Sequence, residues 1–320
     1  MGVPGATLAW REIDMSLEIF VATRLEDVPA TCKTYASVDG SVPGAAFTWD
    51  HHLSGERLNM HAMPDFIDLS GLQGVATTLP DTDALASVVA VLFGGKANLA
   101  PKVLRILEAA SHRCDHLVAL PGLDESTERL GYGLHAYVWG KLEALPKGTN
   151  PSALFSSLCR EVAEAIAAKR PLPCDTTALD RQDELAEQLE HQGRLEDVGQ
   201  VGRIDLRGGL HLYPGAAYRR LDARVAVTVD DHRCGGNQYT VGVNPFARTP
   251  LTDLRPALTQ LAEEEFALGP PALSPAPVPG SENWGGRQTV FGSPWNYGSR
   301  LTVDQVIATV ASALGLGSSP

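Results

Sequence analysis

At 320 residues the chain is long enough for two domains, or one large one, since domains run to roughly 100–200 residues. Hydrophobic residues make up 44 % and charged residues 20 %, a globular balance that excludes a mainly disordered chain; no G-x-y period or sustained heptad is present for collagen or a coiled coil. Lys and Arg number 26 against 38 Asp and Glu, a net charge of −12, which repels phosphate backbones and sets duplex nucleic acid aside as a partner.

That charge leaves room for a small anionic substrate held by a local basic pocket or by a metal ion. The five cysteines, Cys32, Cys114, Cys159, Cys174 and Cys234, are widely spaced and form no CxxC. The pattern suits a reducing compartment and argues against a cysteine-built zinc site. Arg11, Glu12 and Asp14 stand early with no apolar run beside them, so no secretory leader is expected. The longest apolar run, 84–93, is far short of the ~20 residues of a membrane span. The expected location is the cytoplasm.

In chain order, 17–22 (LEIFVA) and 45–49 (AAFTW) read as strands, the second ending at Asp50-His51-His52. Residues 72–79 read as a third strand running into Pro80-Asp81-Thr82-Asp83. The apolar run 84–93 then reads as a buried helix stopped by Gly94-Gly95. An amphipathic helix is expected over 100–112, with Pro101 at its first position and Val103, Leu104 and Leu107 on one face. Two more helices are expected over 126–145 and 151–168. After the break at Pro171-Leu172-Pro173, a charged connecting helix is expected over 180–198. The texture then changes to short strands at 201–206, 209–213, 224–229 and 238–243. A helix is expected over 251–265, a loop rich in Pro, Gly and Ser over 269–286, and a last helix over 302–314.

Two local patterns carry chemistry. Trp49-Asp50-His51-His52 sits at a strand end, where three consecutive side chains can converge on a turn, at the edge where α/β sheets place their sites. The plain alternative is an exposed polar turn with two solvated histidines. Asp81 and Asp83 flank one residue at a strand-to-helix junction; both can face a cation, or Asp81 can serve as an N-cap. Hard carboxylate oxygens with one or two imidazoles suit Mn²⁺ or Mg²⁺ better than Zn²⁺. Two such ions ~3.5–4 Å apart can activate a water and clamp a phosphoryl group. Arg287 and Arg300 lie in glycine-rich loops and are candidate phosphate clamps, because a guanidinium forks two oxygens. His61 and His112 read as satisfied surface or core histidines. Asp230-Asp231-His232-Arg233 with Gly235-Gly236 reads as a hairpin turn. The Gly131–Gly133 pair lacks a nucleotide-loop context, and no GxSxG, P-loop or HExxH occurs.

Together, the DHH at 50–52 and the DxD at 81–83, within PDTDALAS, resemble the metal-site motifs of the DHH phosphoesterase superfamily, in particular the manganese-dependent family II pyrophosphatases. Trp284-Gly285-Gly286-Arg287, Gly292-Ser293-Pro294 and Gly298-Ser299-Arg300 loosely resemble the glycine-rich substrate-contacting segment of that superfamily's second domain. The resemblance implies two divalent cations held by these motifs and a polarised bridging water. The motif order is reversed here, since DxD comes first in the superfamily. Thr77 stands where the pyrophosphatase-like motif begins with histidine. The superfamily's lone bridging aspartate is matched best by Asp115, with Asp65 and Asp68 competing.

The expectation is therefore an α/β protein: a mainly parallel sheet with helices on both faces over 1–175, a charged connector over 176–199, and a smaller mixed α+β substrate domain over 200–320, with the site in the cleft between them. The expected function is metal-dependent phosphoester hydrolysis of a small phosphorylated compound. Asp50, His51 and His52 would be catalytic; Asp50, His51, Asp81, Asp83 and Asp115 would be metal ligands; Arg287 and Arg300 would bind substrate. A non-catalytic nucleotide- or partner-binding relative and a metal-dependent C–N hydrolase stay open, as does a homodimer.

Overall fold

The structure, a computed structural model, describes residues 13–23, 27–28, 32–56, 58–116, 120, 122–249, 251–269 and 283–317, with only the backbone of Asp115 and His116. The chain forms two compact units, residues 1–115 with 122–178, and residues 116–121 with 179–320. It is an α/β protein with one parallel and one mixed sheet.

The first unit is organised by four short strands rich in aromatic and branched residues: β1 (Glu18–Val21), β2 (Tyr35–Val38), β3 (Phe47–Trp49) and β4 (Gly74–Thr77). All pair in parallel, in the order β1-β4-β2-β3. Their carboxyl ends therefore share one edge. Ser37 lies opposite Ala76 and Val38 opposite Trp49, so the residues that follow β2, β3 and β4 emerge side by side. The helices of this unit are α1 (His51–Ser54), α2 (Asn59–Ala62), α3 (Thr82–Leu92), α4 (Pro101–His116), α5 (Glu125–Glu143) and α6 (Ser152–Ala167).

All eleven residues of α3 are buried, as expected of a helix apolar on every side. It ends in a glycine cap: Gly94 (φ +69°) donates to the Val91 carbonyl at 2.7 Å and Gly95 to that of Ala90 at 2.8 Å. Leu85, Val88 and Leu92 of α3, Leu107 of α4, Leu134 of α5 and Phe155 and Val162 of α6 share one core with Ile19, Val38 and Val75 of the sheet. A core leucine such as Leu85 contributes on the order of 1.5–3 kcal/mol by burial. The opposite face differs from the expected second helical layer. Among the described residues it carries a smaller cluster of Ala22, Cys32, Tyr35, Val42 and Ala76, because loop residues and the Tyr35 ring, edge-on to Phe20 at 5.2 Å, already cover so narrow a sheet.

The second unit contains α7 (Ala178–His191), which begins at the boundary, then β5 (Leu195–Val198), β6 (Val201–Asp205), α8 (Pro214–Tyr218), β7 (Val225–Asp231), β8 (Asn237–Val243), α9 (Arg255–Ala267), β9 (Gly285–Gly286), β10 (Val290–Gly292) and α10 (Val303–Ala313). The sheet order is β5-β6-β7-β8-β10-β9, parallel only at β6–β7. Helices α9 and α10 pack on each other, and α10 on β6 and β7. They enclose Val227, Val241, Trp284, Leu261, Val306 and Val310.

Three sequence expectations shift. The charged helix expected to 198 stops at His191; Gly193 takes a left-handed backbone (φ +66°), and 195–198 pairs antiparallel with β6. No strand forms over 209–213, where Gly208 and Gly209 both have positive φ and Pro214 opens α8. The helix expected from 251 begins at Arg255, with Pro256 in its first turn. Most of the loop expected over 269–286 lies outside the described residues. The five cysteines are unbridged, and among the described residues no helix is long and apolar enough to cross a membrane.

Candidate functional site

The carboxyl edge of the parallel sheet gathers the residues of interest. Asp39 follows β2, Asp50-His51-His52 follows β3, and the turn into α3 with Asp81 and Asp83 follows β4. Asp39, Asp50, Asp81 and Asp83 are each no more than 8 % exposed. Asp39 with His51 and His52 offers three ligand atoms lying within 4.8 Å of one another. The Nε2 of His51 is 3.4 Å from Asp39 Oδ1 and 3.8 Å from Asp83 Oδ2, so the DHH and DxD segments meet at this imidazole.

Each piece is held by its own local structure. Asp50 is the N-cap of α1: its carboxylate accepts the His52 backbone N–H at 2.9 Å and lies 3.0 Å from His52 Nδ1. That contact places the imidazole proton on Nδ1 and leaves Nε2 of the half-exposed ring as the basic nitrogen. Asp81 is the N-cap of α3, accepting the Ala84 N–H at 2.9 Å. Asp83, in the first turn, accepts the Asn59 N–H at 3.2 Å. Buried Asn59 also accepts the His51 N–H at 3.1 Å and donates to Ser87 at 2.9 Å, bracing α1 against α3.

Asp39 has a left-handed backbone (φ +48°), followed by Gly40 at φ +123°. A Cβ on Gly40 would lie 2.0 Å from the Thr78 hydroxyl, so only glycine lets the β2 loop approach β4 so closely. The Thr77 hydroxyl lies 3.2 Å from the Asp39 carbonyl and 3.0 Å from that of Leu79, so this residue ties the two strand ends together. Beside the acidic turn, buried Thr82 meets His135 of α5, Oγ1 to Nδ1 at 3.0 Å. Burial, and secondarily the charge of Arg113, pulls the His135 imidazole down to about 3, so it is neutral at working pH.

Carboxylate oxygens with imidazole nitrogens form a donor set that fits Mn²⁺ or Mg²⁺. These residues thus fit a divalent cation on the chemistry of the donors alone.

The other sequence candidates lie on other elements of the chain. Asp115 lies in the last turn of α4 and its side chain is outside the described residues. Asp65 is exposed and pairs with Lys96 at 3.4 Å; Asp68 accepts the Ser70 N–H at 2.9 Å. Arg287 is exposed in the turn between β9 and β10. Arg300 donates to the carbonyls of Leu268, Glu265 and Gly269 at 2.8–3.2 Å, closing the end of α9. His61 lies 3.5 Å from Glu108. His232 sits in the β7–β8 turn, with Nε2 3.0 Å from the Trp295 carbonyl and Nδ1 accepting the Cys234 N–H. Asp39, Asn59 and His135 were not singled out from sequence. For Asp39 the available signal was Asp-Gly closing the short run YASV, which is a strand.

No known family model matches the chain, and no curated protein matches it. Among solved structures it is similar to a pGpG-specific phosphodiesterase, PggH, from Vibrio cholerae, with a TM-score of 0.43, 15 % identity, and coverage of 88 % of this chain and 83 % of that one. A likeness of this degree leaves the chemistry to be argued from the site's own residues.

Proposed function

We propose that the protein is a divalent-metal-dependent phosphoesterase acting on a small phosphorylated compound. One observation carries the reading: Asp39, His51 and Asp83 come from three adjacent parallel strand ends and lie within 4 Å of one imidazole nitrogen. Asp39, His51 and Asp83 are the proposed holders of Mn²⁺ or Mg²⁺, with Asp50 and Asp81 fixing the turns that carry the site. A cation bound there would supply a Lewis acid for a phosphoryl oxygen and make a water acidic near neutral pH. His52, aligned by Asp50, would take or give the proton at Nε2. The buried carboxylates make the metal-free site repel a phosphate, so substrate binding would be metal-dependent.

The decisive experiment measures hydrolysis of generic phosphodiester, phosphomonoester and pyrophosphate substrates with Mn²⁺ and Mg²⁺, in the wild type and in Asp83→Asn. Metal-dependent turnover that Asp83→Asn abolishes supports the reading. Turnover of C–N substrates alone, or none of any class, overturns it. A second reading, a module that binds its ligand without turnover, is favoured by Thr77. Its hydroxyl serves the backbone where the resembled pyrophosphatases have a histidine, which would leave one cation fewer to activate water. Ligand binding without turnover in both proteins would select it.

A further inference from the structure

We propose that His135 is a positioning residue for the acidic turn, acting through Thr82. The inference rests on the metal-site reading above and deepens it. Thr82 is the first residue of α3, between the cap Asp81 and the buried Asp83, so any rotation of the first turn moves both carboxylates. Its side chain is 1 % exposed, and its hydroxyl has a partner from outside the helix, His135 Nδ1 at 3.0 Å.

His135 is itself held. Its ring stacks with Trp139 one turn along α5, at 6.3 Å and 17° between planes, and tilts against Tyr132 at 6.4 Å. The Arg113 guanidinium lies 5.7 Å from the Tyr132 ring, joining α4 to the same stack. Helix α5 also packs directly on α3, and at Gly131 it approaches α4 so closely that a Cβ would lie 2.5 Å from that of Ala109. The imidazole is thus held where α5 packs closely on α4, and its hydrogen bond with Thr82 ties the turn to that helix pair. Asp83 is braced on its far side by the Asn59 N–H, so the turn is clamped from α5 and from α2 together. A neutral ring suits the task, since it holds Thr82 without adding a positive charge that would compete with a cation.

The experiment compares Thr82→Val and His135→Leu, which remove the hydrogen bond at similar volume, with Thr82→Ser and His135→Asn, which keep a hydrogen-bonding group at Oγ1 and at the place of Nδ1. Two quantities are read: amide exchange at Ala84 and Leu85 in metal-free protein, and Mn²⁺ affinity by titration. Thr82→Val and His135→Leu are expected to speed exchange at those amides about 10-fold and to weaken Mn²⁺ binding about 10-fold. The two conservative variants should stay close to wild type. The double variant should be no worse than either single one, because both cut the same bond. Unchanged exchange in both disruptive variants, or effects that simply add in the double variant, would overturn the role. A wild type that binds no Mn²⁺ would sink the metal-site reading, while the exchange measurement still decides for or against His135.

Discussion

Replacing Asp39 with Asn separates a metal-holding carboxylate from a structural one. The left-handed backbone at Asp39 (φ +48°) suits Asn as well as Asp, so the change adds no strain. It removes one negative charge 3.4 Å from His51 Nε2, in a site it shares with Asp83. At an effective dielectric of about 20, a divalent cation and a unit negative charge 4 Å apart attract by about 8 kcal/mol. Desolvation of the ion and the carboxylate returns more than half of that, which leaves a loss of about 3 kcal/mol, or on the order of 100-fold in cation affinity. With Mn²⁺ at about 100 times the wild-type Kd, the wild type gains about 2.7 kcal/mol of stability, and a variant bound 100-fold more weakly gains about 0.4 kcal/mol. Thermal melting with and without Mn²⁺ would show a wild-type rise of about 5–10 °C, against about 1 °C in Asp39→Asn. An equal Mn²⁺-induced rise in both proteins would refute the assignment of Asp39.

His52→Ala should lower turnover while largely keeping Mn²⁺ affinity, because the half-exposed ring sits at the rim on its Asp50 contact; Asp83→Asn should lose both, and metal titration beside activity assays tells the two patterns apart. Gly40→Ala should destabilise the protein by about 1–3 kcal/mol, since it combines positive φ with a clash on Thr78, and a melting temperature equal to wild type would count against the loop geometry. Asp205 is held down at about 2, chiefly by its hydrogen bonds with Arg207. A depressed carboxylate stabilises the fold above its unfolded pKa of about 4, and that contribution is lost as pH falls towards 2. Asp205→Asn should therefore cost on the order of 2 kcal/mol at pH 7, and the difference in denaturant midpoint should shrink between about pH 5 and 2. Arg300→Ala should lower the melting temperature by freeing the last carbonyls of α9, and an unchanged melting temperature would count against that structural role.

Much of the fold is legible locally. Helices α3, α4 and α6 are visible because period, Pro101 and Gly94-Gly95 all act within a few residues of the backbone they shape. The β7–β8 hairpin follows from two alternating runs around Gly235-Gly236. Strand β2 is not legible: four residues preceded by a short helical turn carry no period, and only pairing with β3 and β4 makes them a strand. Likewise 195–198 continues the charged helix in composition and becomes a strand only because β6 offers it a ladder.

The sequence by itself determined which side chains are on offer, the acidic and histidine residues of DHH and DxD, and that each segment stands at a strand end. Only the tertiary structure decided which donors meet. Parallel pairing in the order β4-β2-β3 brings the ends of three strands distant along the chain to one edge, and so sets Asp39 against His51 and braces Asp83 with Asn59. The caps at Asp50 and Asp81 are local by contrast, each carboxylate accepting an N–H two or three residues further on. Spacing along the chain carries local geometry, but convergence of side chains is a property of strand order and register, which long-range backbone pairing sets.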